Sequence, residues 1–186
     1  MENTRRYPVG IQTFERIRKE GYVYIDKTDL VWKATRESPF VFLSRPRRFG
    51  KSLLTTTFDA YFKGQKELFE GLKIMDLETE WNSYPVIHLD VSVTKSKATA
   101  AELQRALCIL MKPYYESYGR DLDEQTPGEI LQGLIRRAYE QTGKQVAVII
   151  DEYDAPLLDV LHRDEILEEF RRVMQEFYQP LKASEA

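Results

Sequence analysis

A basic segment that ends in Gly50-Lys51-Ser52 contains the residues best suited to chemistry in this chain. It reads SRPRRFGKS over residues 44–52, and its last three residues match the end of the phosphate-binding pattern G-x-x-x-x-G-K-[ST]. A glycine before the lysine lets the main chain curl closely around phosphate oxygens, and the start of a helix attracts anions. The pattern predicts that Lys51 reaches the β and γ phosphates of a nucleotide, and that the Ser52 hydroxyl completes the shell of a Mg²⁺ ion.

The entrance of this loop departs from the pattern, because Arg45 stands where the first glycine belongs. Pro46 follows and favours an extended Arg45, so the loop is expected to enter by a different path and to keep its final turn. Three basic side chains, Arg45, Arg47 and Arg48, could face phosphate, nucleic acid or an acidic neighbour. The alternative is a solvated basic turn before a helix, since GK[ST] alone is common by chance.

An acidic pair supplies the second half of a nucleotide site. Asp151 and Glu152 follow the apolar run Val146–Ile150. Because the carboxyl ends of parallel strands share one edge of a sheet, the pair is expected to meet the phosphate loop there. Asp151 would hold Mg²⁺ through its water shell, and Glu152 would orient or deprotonate the attacking water. The alternative is that the pair merely ends a strand as a solvated turn, but the joint occurrence of loop and pair favours nucleotide binding.

Three apolar runs predict the strands that position these residues. They are Phe40–Ser44 before the loop, Pro85–Ser92, and Gln145–Asp154 before and through the acidic pair. Continuous apolar strands separated by helices indicate a parallel sheet that is covered on both faces. The predicted class is therefore α/β.

Helix signals separate the strands. A helix is expected directly after the phosphate loop, with Gly64 as its stop, and an extended piece from Tyr22 leads into another near Asp26 to Thr28. The segment TPGE at Thr126 combines an N-cap threonine, a proline at the first helical position and a glutamate at the third. Proline is expected to kink the last turn of a helix at Pro113 and to close the final helix at Pro180.

Length and composition narrow the classes of function. With 186 residues the chain is most simply one domain, and its net charge of −3 exerts no overall attraction on nucleic acid or an anionic membrane. One cysteine, Cys108, excludes an intrachain disulfide, and two histidines, His88 and His162, weaken any histidine-rich metal site. The longest apolar run, Ala106–Met111, is far too short to span a membrane, and MENTRRYP lacks a signal-peptide core. The expected compartment is the cytoplasm.

Several motifs occur in one order: GIQTFERI, YIDKT, SRPRRFGKSLL, LFEGLKI, YPVIHLDVS and VAVIIDEYDAPLL. Over nearly the whole chain this order resembles the bacterial AAA-ATPase-like family, whose phosphate loop typically reads RPRRFGKS. The resemblance implies a P-loop fold of three layers, α/β/α, with bound ATP and Mg²⁺. It implies metal roles for Ser52 and Asp151 and catalytic roles for Lys51 and Glu152. The residues implied to bind the nucleotide are Arg47, Arg48, Phe49, Gly50, Lys51, Ser52 and Leu53.

Members of this family commonly continue with a further strand that carries a polar sensor residue, and often with a nuclease-like domain of the PD-(D/E)XK type. The expectation is that residues 1–186 are the N-terminal portion of one such domain, truncated before the sensor strand. Nucleic acid would then be a partner only through the missing part, and a homo-oligomer stays open. Besides an ATPase, two alternatives remain: a module that binds nucleotide without hydrolysis, and a nucleic-acid-associated component of defence or repair.

Overall fold

A computed structural model of the protein describes residues 6–46 and 48–183, which belong to two compact units. The N-terminal unit ends at Val86 and the C-terminal unit begins at Ile87. The basic loop lies in the N-terminal unit and the acidic pair in the C-terminal unit. The assignment of residues 1–186 to one domain stays a prediction.

The N-terminal unit is helical in its described part. Its helices are α1 (Phe14–Lys19), α2 (Thr28–Glu37) and α3 (Lys51–Phe62), followed by 3₁₀ turns at Lys66–Phe69 and Lys73–Asp76. Phe14 is fully buried, with its ring centroid 4.8 Å from that of Phe69 and 5.2 Å from that of Tyr24. The core around it consists of Phe14, Val31, Ala60, Leu68, Phe69, Leu72 and Ile74.

The segment before α2 is held by Asp26 and Thr28, and the helix begins at Thr28, where the sequence predicts it. The Asp26 carboxylate accepts hydrogen bonds from the N–H and hydroxyl groups of Thr28 and from the N–H of Lys73, at 2.7–2.9 Å. The Thr28 hydroxyl in turn accepts from the N–H of Ile74. Burial opposes ionisation of Asp26, but these donors outweigh it and lower the pKa of its carboxyl group. The start of α2 is therefore fixed to the second 3₁₀ turn.

The predicted buried strand at Phe40–Ser44 is wrong. Residues 40–44 form neither helix nor strand, and the exposed fractions of Phe40, Val41 and Phe42 are 49%, 55% and 70%. A strand is defined by hydrogen bonds to a neighbouring strand, and an apolar run cannot supply those by itself. The loop therefore follows a segment that is neither helix nor strand and whose apolar side chains at Phe40, Val41 and Phe42 are exposed.

The C-terminal unit contains the sheet, whose first strand begins at the boundary residue. Its elements are β1 (Val86–Asp90), a 3₁₀ turn (Val91–Thr94), α4 (Ala100–Leu110), α5 (Pro113–Tyr118), α6 (Pro127–Thr142), β2 (Ala147–Asp151), α7 (Ala155–Asp159) and α8 (Asp164–Ala183). The two strands pair in parallel, and α4 to α6 form the crossover that parallel strands require. The α/β class is thus confirmed, with a small sheet and mostly helices, and the three-layer arrangement stays a prediction.

The core of this unit joins the strands to α4, α6 and α8. It includes Ile87 and Leu89 of β1, and Phe170 and Phe177 of α8, which are all nearly or fully buried. Gly128 is required where α6 meets α8, because a Cβ there would lie 2.6 Å from the main-chain oxygen of Glu176. The helices therefore pack tightly beside the strand that ends in the acidic pair.

The sequence predicts the start of α6 correctly, but the structure corrects the predictions made for Pro113 and Pro180. The full capping box of α6 forms between Thr126 and Glu129, with Pro127 at the first position. Pro113 begins α5 instead of kinking the preceding helix, because proline needs no N–H at a first helical position. Pro180 lies inside α8, which continues to Ala183, so the prediction that it closes the helix is wrong. Proline removes one hydrogen bond there, and a single loss near a helix end is tolerated.

Candidate functional site

The start of α3 has the geometry of an anion-binding turn. Gly50 precedes the helix with φ 74° and ψ 26°, a left-handed conformation that side chains disfavour. Its carbonyl accepts the first intrahelical bond from the N–H of Leu54, at 3.0 Å. Because glycine has no side chain, Gly50 cannot cap the helix, and the N–H groups of the first turn point out of the helix end.

Lys51 folds back over the loop that precedes it. Its ammonium Nζ donates a hydrogen bond to the main-chain oxygen of Arg45, at 3.2 Å, and its side chain is partly buried. Arg45, which stands at the first glycine position of the pattern, thus contacts Lys51 through its main-chain carbonyl, a group that every amino acid has. This contact holds the positive charge of Lys51 beside the start of α3.

The rest of the loop turns sharply and stays accessible. Arg48 is exposed and has φ 66°, so two left-handed residues, Arg48 and Gly50, flank Phe49. The side chain of Phe49 is 64% exposed. Arg47 lies outside the described residues, and its assignment to the nucleotide site stays a prediction.

Threonines anchor α3 beneath the loop. The Thr56 hydroxyl accepts from the N–H of Phe14 at 3.0 Å, and Thr57 is fully buried with its hydroxyl bonded to the carbonyl of Leu53. Ser52 and Leu53 are partly buried, and Leu53 packs against the core of the unit. The helix whose first turn carries Lys51 and Ser52 is therefore held to the core of the unit by hydrogen bonds and by packing.

The acidic half of the site lies at the end of β2. Asp151 is the last residue of that strand, is 7% exposed, and accepts the N–H of Glu152 on Oδ1 at 3.0 Å. Asp90 ends the neighbouring strand, is exposed, and accepts the N–H of Ser92 at 2.9 Å. Because the strands are parallel, both aspartates lie at the same edge of the sheet. Asp90 therefore caps the turn after its strand, which is a structural role.

A tight turn follows Asp151 and presents Glu152. Glu152 has φ 52°, which is unusual for a residue with a side chain and stores strain. Its carbonyl accepts from the N–H of Ala155 at 2.9 Å, and the hydroxyl of Tyr178 donates to the carbonyl of Tyr153 at 2.9 Å. Burial, and then the charge of Asp154, raise the pKa of Tyr178, so this hydroxyl stays protonated and can donate.

The residue types fit a nucleotide-bound magnesium ion. Mg²⁺ prefers oxygen ligands and is usually held by one or two carboxylates together with substrate phosphates and water. The Ser52 hydroxyl and the Asp151 carboxylate are donors of this kind. Among residues 6–46 and 48–183 no three His, Cys, Asp or Glu side chains gather into a metal-binding group.

The two histidines and the cysteine differ in their surroundings. The hydroxyl of Tyr114 lies 2.7 Å from both the main-chain N and the main-chain O of His88, accepting from the first and donating to the second. His162 is exposed. Burial raises the pKa of the Cys108 thiol, so this residue is a poor nucleophile at neutral pH.

The structure brings together the residues within each half of the site. Gly50, Lys51 and Ser52 form one turn, and Asp151 and Glu152 form another, as their adjacency in the sequence requires. That the two halves act on one nucleotide stays a prediction. Sequence reasoning missed Tyr178, because no local pattern tells which main-chain atom a distant tyrosine will reach.

A chain of the α/β class with a glycine-led lysine at a helix start, and with acids at the end of a parallel strand, has the features of a nucleotide-binding protein. Residues 8–186 match the family model described as Predicted AAA-ATPase, and the chain belongs to this family. This confirms the resemblance inferred from the motifs.

A second comparison gives a relative of greater length. The chain is 35% identical over 184 residues to the "Uncharacterized protein in vnfD 5'region" of Azotobacter chroococcum mcd 1. The match covers 98% of this chain and 35% of the relative, so the chain spans about a third of the relative's length. No solved structure matches. No helix in the described part of the chain combines the length and apolar character needed to cross a membrane.

Proposed function

We propose that this chain is the ATP- and Mg²⁺-binding domain of a cytoplasmic ATPase. The observation that supports the proposal is the start of α3, where left-handed Gly50 precedes a folded-back Lys51, in a member of the Predicted AAA-ATPase family. Family membership supports nucleotide binding, and the oxygen donors Ser52 and Asp151 suit the magnesium ion that accompanies ATP.

Each residue has a defined task in the proposed site. The first-turn N–H groups of α3 bind phosphate oxygens, and the Lys51 ammonium stabilises negative charge that grows on the γ phosphate. Ser52 and Asp151 hold the magnesium ion, which supplies positive charge beside the phosphates when it is bound. Glu152 orients a water molecule in line with the γ phosphate and accepts its proton. Arg48, Phe49 and Leu53 line the nucleotide, together with Arg47.

Calorimetric titration with ATP and Mg²⁺ tests binding, using Lys51→Ala and the matched control Lys63→Ala. Lys63 directly follows α3 at its far end, about 18 Å from the loop, since a helix rises about 1.5 Å per residue. Lys51→Ala is expected to abolish measurable binding, and Lys63→Ala to leave it unchanged. Equal affinity in the wild type and Lys51→Ala would refute the assignment and favour the solvated basic turn.

Hydrolysis is tested separately with Glu152→Gln, which keeps the shape of the side chain and removes the proton acceptor. If the domain hydrolyses ATP, this variant retains ATP affinity and loses turnover by about 10²–10⁴-fold, the usual contribution of a general base. If the wild type binds ATP without turnover and Glu152→Gln changes nothing, the chain is a nucleotide-binding module instead. The ATPase and the nucleotide-binding module are therefore distinguished by measuring ATP turnover in the wild type and in Glu152→Gln.

A further inference from the structure

The turn that carries the acidic pair is held at three successive points. The N–H of Glu152 is bonded to Asp151 Oδ1, its carbonyl accepts from the N–H of Ala155, and the next carbonyl, that of Tyr153, accepts from the Tyr178 hydroxyl. The first two contacts lie within the turn. The third reaches the turn from another element, because Tyr178 is in α8, 25 residues further along the chain than Tyr153.

This outside contact matters because the turn is strained. Glu152 has φ 52°, a left-handed conformation that costs a residue with a side chain on the order of 1–2 kcal/mol. Such a conformation persists only where the surroundings hold it in place. A turn that relaxed from this value would rotate the peptide groups around Glu152 and redirect its carboxylate.

Tyr178 is well placed to resist that relaxation. Its ring packs against the main core of the unit, with its centroid 5.1 Å from that of the fully buried Phe177. A ring fixed in this way leaves its hydroxyl little freedom, so the bond to Tyr153 joins the turn to the longest helix of the described residues. This hydrogen bond couples the turn to α8.

We infer that Tyr178 is a positioning residue: its hydroxyl holds the main chain at Tyr153 so that the turn presents Asp151 and Glu152 in one orientation. The inference rests on the proposed function, in which Asp151 holds magnesium and Glu152 orients water. Tyr178 does not touch the nucleotide. It acts through the main chain of the turn, and it links packing of α8 to the magnesium-dependent part of nucleotide binding.

The test compares Tyr178→Phe with the matched control Tyr115→Phe. The Tyr115 hydroxyl also donates to a main-chain carbonyl, that of Cys108 at 3.1 Å, in the same unit. Each variant therefore loses one tyrosine-to-carbonyl hydrogen bond, and only Tyr178→Phe loses one at the turn. Two quantities are measured: amide hydrogen exchange at Glu152 and Ala155 without nucleotide, and ATP affinity with Mg²⁺ and with EDTA.

We expect Tyr178→Phe to speed exchange at the Ala155 amide about fivefold beyond any change in Tyr115→Phe, as loss of one hydrogen bond implies. The gain in ATP affinity on adding Mg²⁺ should fall by a similar factor, while affinity in EDTA stays as in the wild type. A merely structural residue would lower both affinities together or neither. Asp151→Asn, which removes the proposed magnesium ligand, gives the full size of the Mg²⁺-dependent gain for comparison.

The outcomes separate this inference from the function on which it rests. Unchanged exchange at the turn in Tyr178→Phe overturns the inference, as does faster exchange with the whole Mg²⁺-dependent gain retained. If the wild type shows no Mg²⁺-dependent gain, the proposed function fails. In that case faster exchange in Tyr178→Phe still supports Tyr178 as the residue that holds the turn.

Discussion

At the scale of single residues, Gly50 can be tested for two separate roles: its effect on the stability of the fold and its effect on nucleotide binding. Gly50 adopts φ 74°, and a Cβ built on it meets no atom of the described residues within 4 Å. Glycine is therefore needed there for its backbone conformation and not to avoid a clash with those residues. The open space beside it is the space that a phosphate group would approach in the proposed function.

Gly71 provides a matched control in the same unit, since it has φ 72° and a Cβ built on it also meets none of the described atoms within 4 Å. We expect Gly50→Ala and Gly71→Ala to lower the free energy of unfolding equally, by about 1–2 kcal/mol, because both force alanine into a left-handed conformation. Gly50→Ala alone should weaken ATP binding, by about tenfold or about 1.4 kcal/mol. Urea unfolding and calorimetry give the two quantities. Equal ATP affinities in the two variants would contradict the placement of phosphate at Gly50.

At the scale of elements, α2 and α3 are joined through Glu78, which is 5% exposed. One of its oxygens accepts from the hydroxyl of Tyr61 on α3 and from the guanidinium of Arg36 on α2. Burial, and then the bond to Glu78, raise the pKa of Tyr61 to about 12. Burial opposes ionisation of Glu78, but its donors, Tyr61 first, outweigh it and lower the pKa of its carboxyl group.

The raised pKa of Tyr61 predicts a loss of stability in alkali. A tyrosine whose pKa is higher in the folded state stabilises that state below the unfolded value, about 10, and ceases to do so as the pH rises through about 12. At pH 8, Tyr61→Phe should lower the free energy of unfolding by about 2 kcal/mol, because it removes a hydrogen bond to a charged acceptor. Urea unfolding of both proteins should show this difference shrinking between pH 9 and 12. A difference that stays constant over that range would contradict the assignment.

Elements defined by local chemistry could be predicted from the sequence, and those defined by distant partners could not. The start of α6 at Thr126 depends on residues within one turn, and the structure confirms it. The strand β2 was predicted with its acidic end, because a long apolar run followed by acid limits its position. Residues 40–44 carry the same apolar signal, but only pairing makes a strand, and pairing depends on a neighbour that the sequence does not name.

The candidate site divides in the same way. Gly50, Lys51 and Ser52, like Asp151 and Glu152, are contiguous, so their types and spacing predicted each half. The hydrogen bonds from Lys51 to the carbonyl of Arg45 and from Tyr178 to the carbonyl of Tyr153 could not be predicted. Every residue has a main-chain carbonyl, so the sequence does not show which one will accept a hydrogen bond. The left-handed conformation of Glu152 could not be predicted either, because the residue is not a glycine.

At the scale of the whole molecule, the proposed function requires that both units respond to one ligand. A ligand that binds only the folded state stabilises it by about 2.7 kcal/mol at a concentration of 100 Kd. Amide groups that the bound ligand holds should then exchange about a hundredfold more slowly, since each 1.4 kcal/mol is a factor of ten. Amide hydrogen exchange thus shows which segments of the chain the bound ligand stabilises.

We predict that saturating ATP with Mg²⁺ slows exchange at residues 50–54 of the N-terminal unit and at residues 151–155 of the C-terminal unit. ATP with EDTA should protect the first segment alone, because Asp151 acts through magnesium in the proposed site. Asp151→Asn with Mg²⁺ should reproduce the EDTA pattern. Asp123→Asn, the same change of charge at an exposed carboxylate of the same unit, should behave as the wild type.

The contrary result is equally specific. If MgATP protects residues 50–54 and leaves residues 151–155 unchanged in the wild type, the phosphate loop binds nucleotide without the acidic pair. Asp151 and Glu152 would then be the end of a strand and a strained turn, held by Asp151 Oδ1 and Tyr178 for the stability of the C-terminal unit. Protection of both segments in EDTA would instead mean that the acidic turn responds to the nucleotide itself, and the metal role of Asp151 would have to be withdrawn.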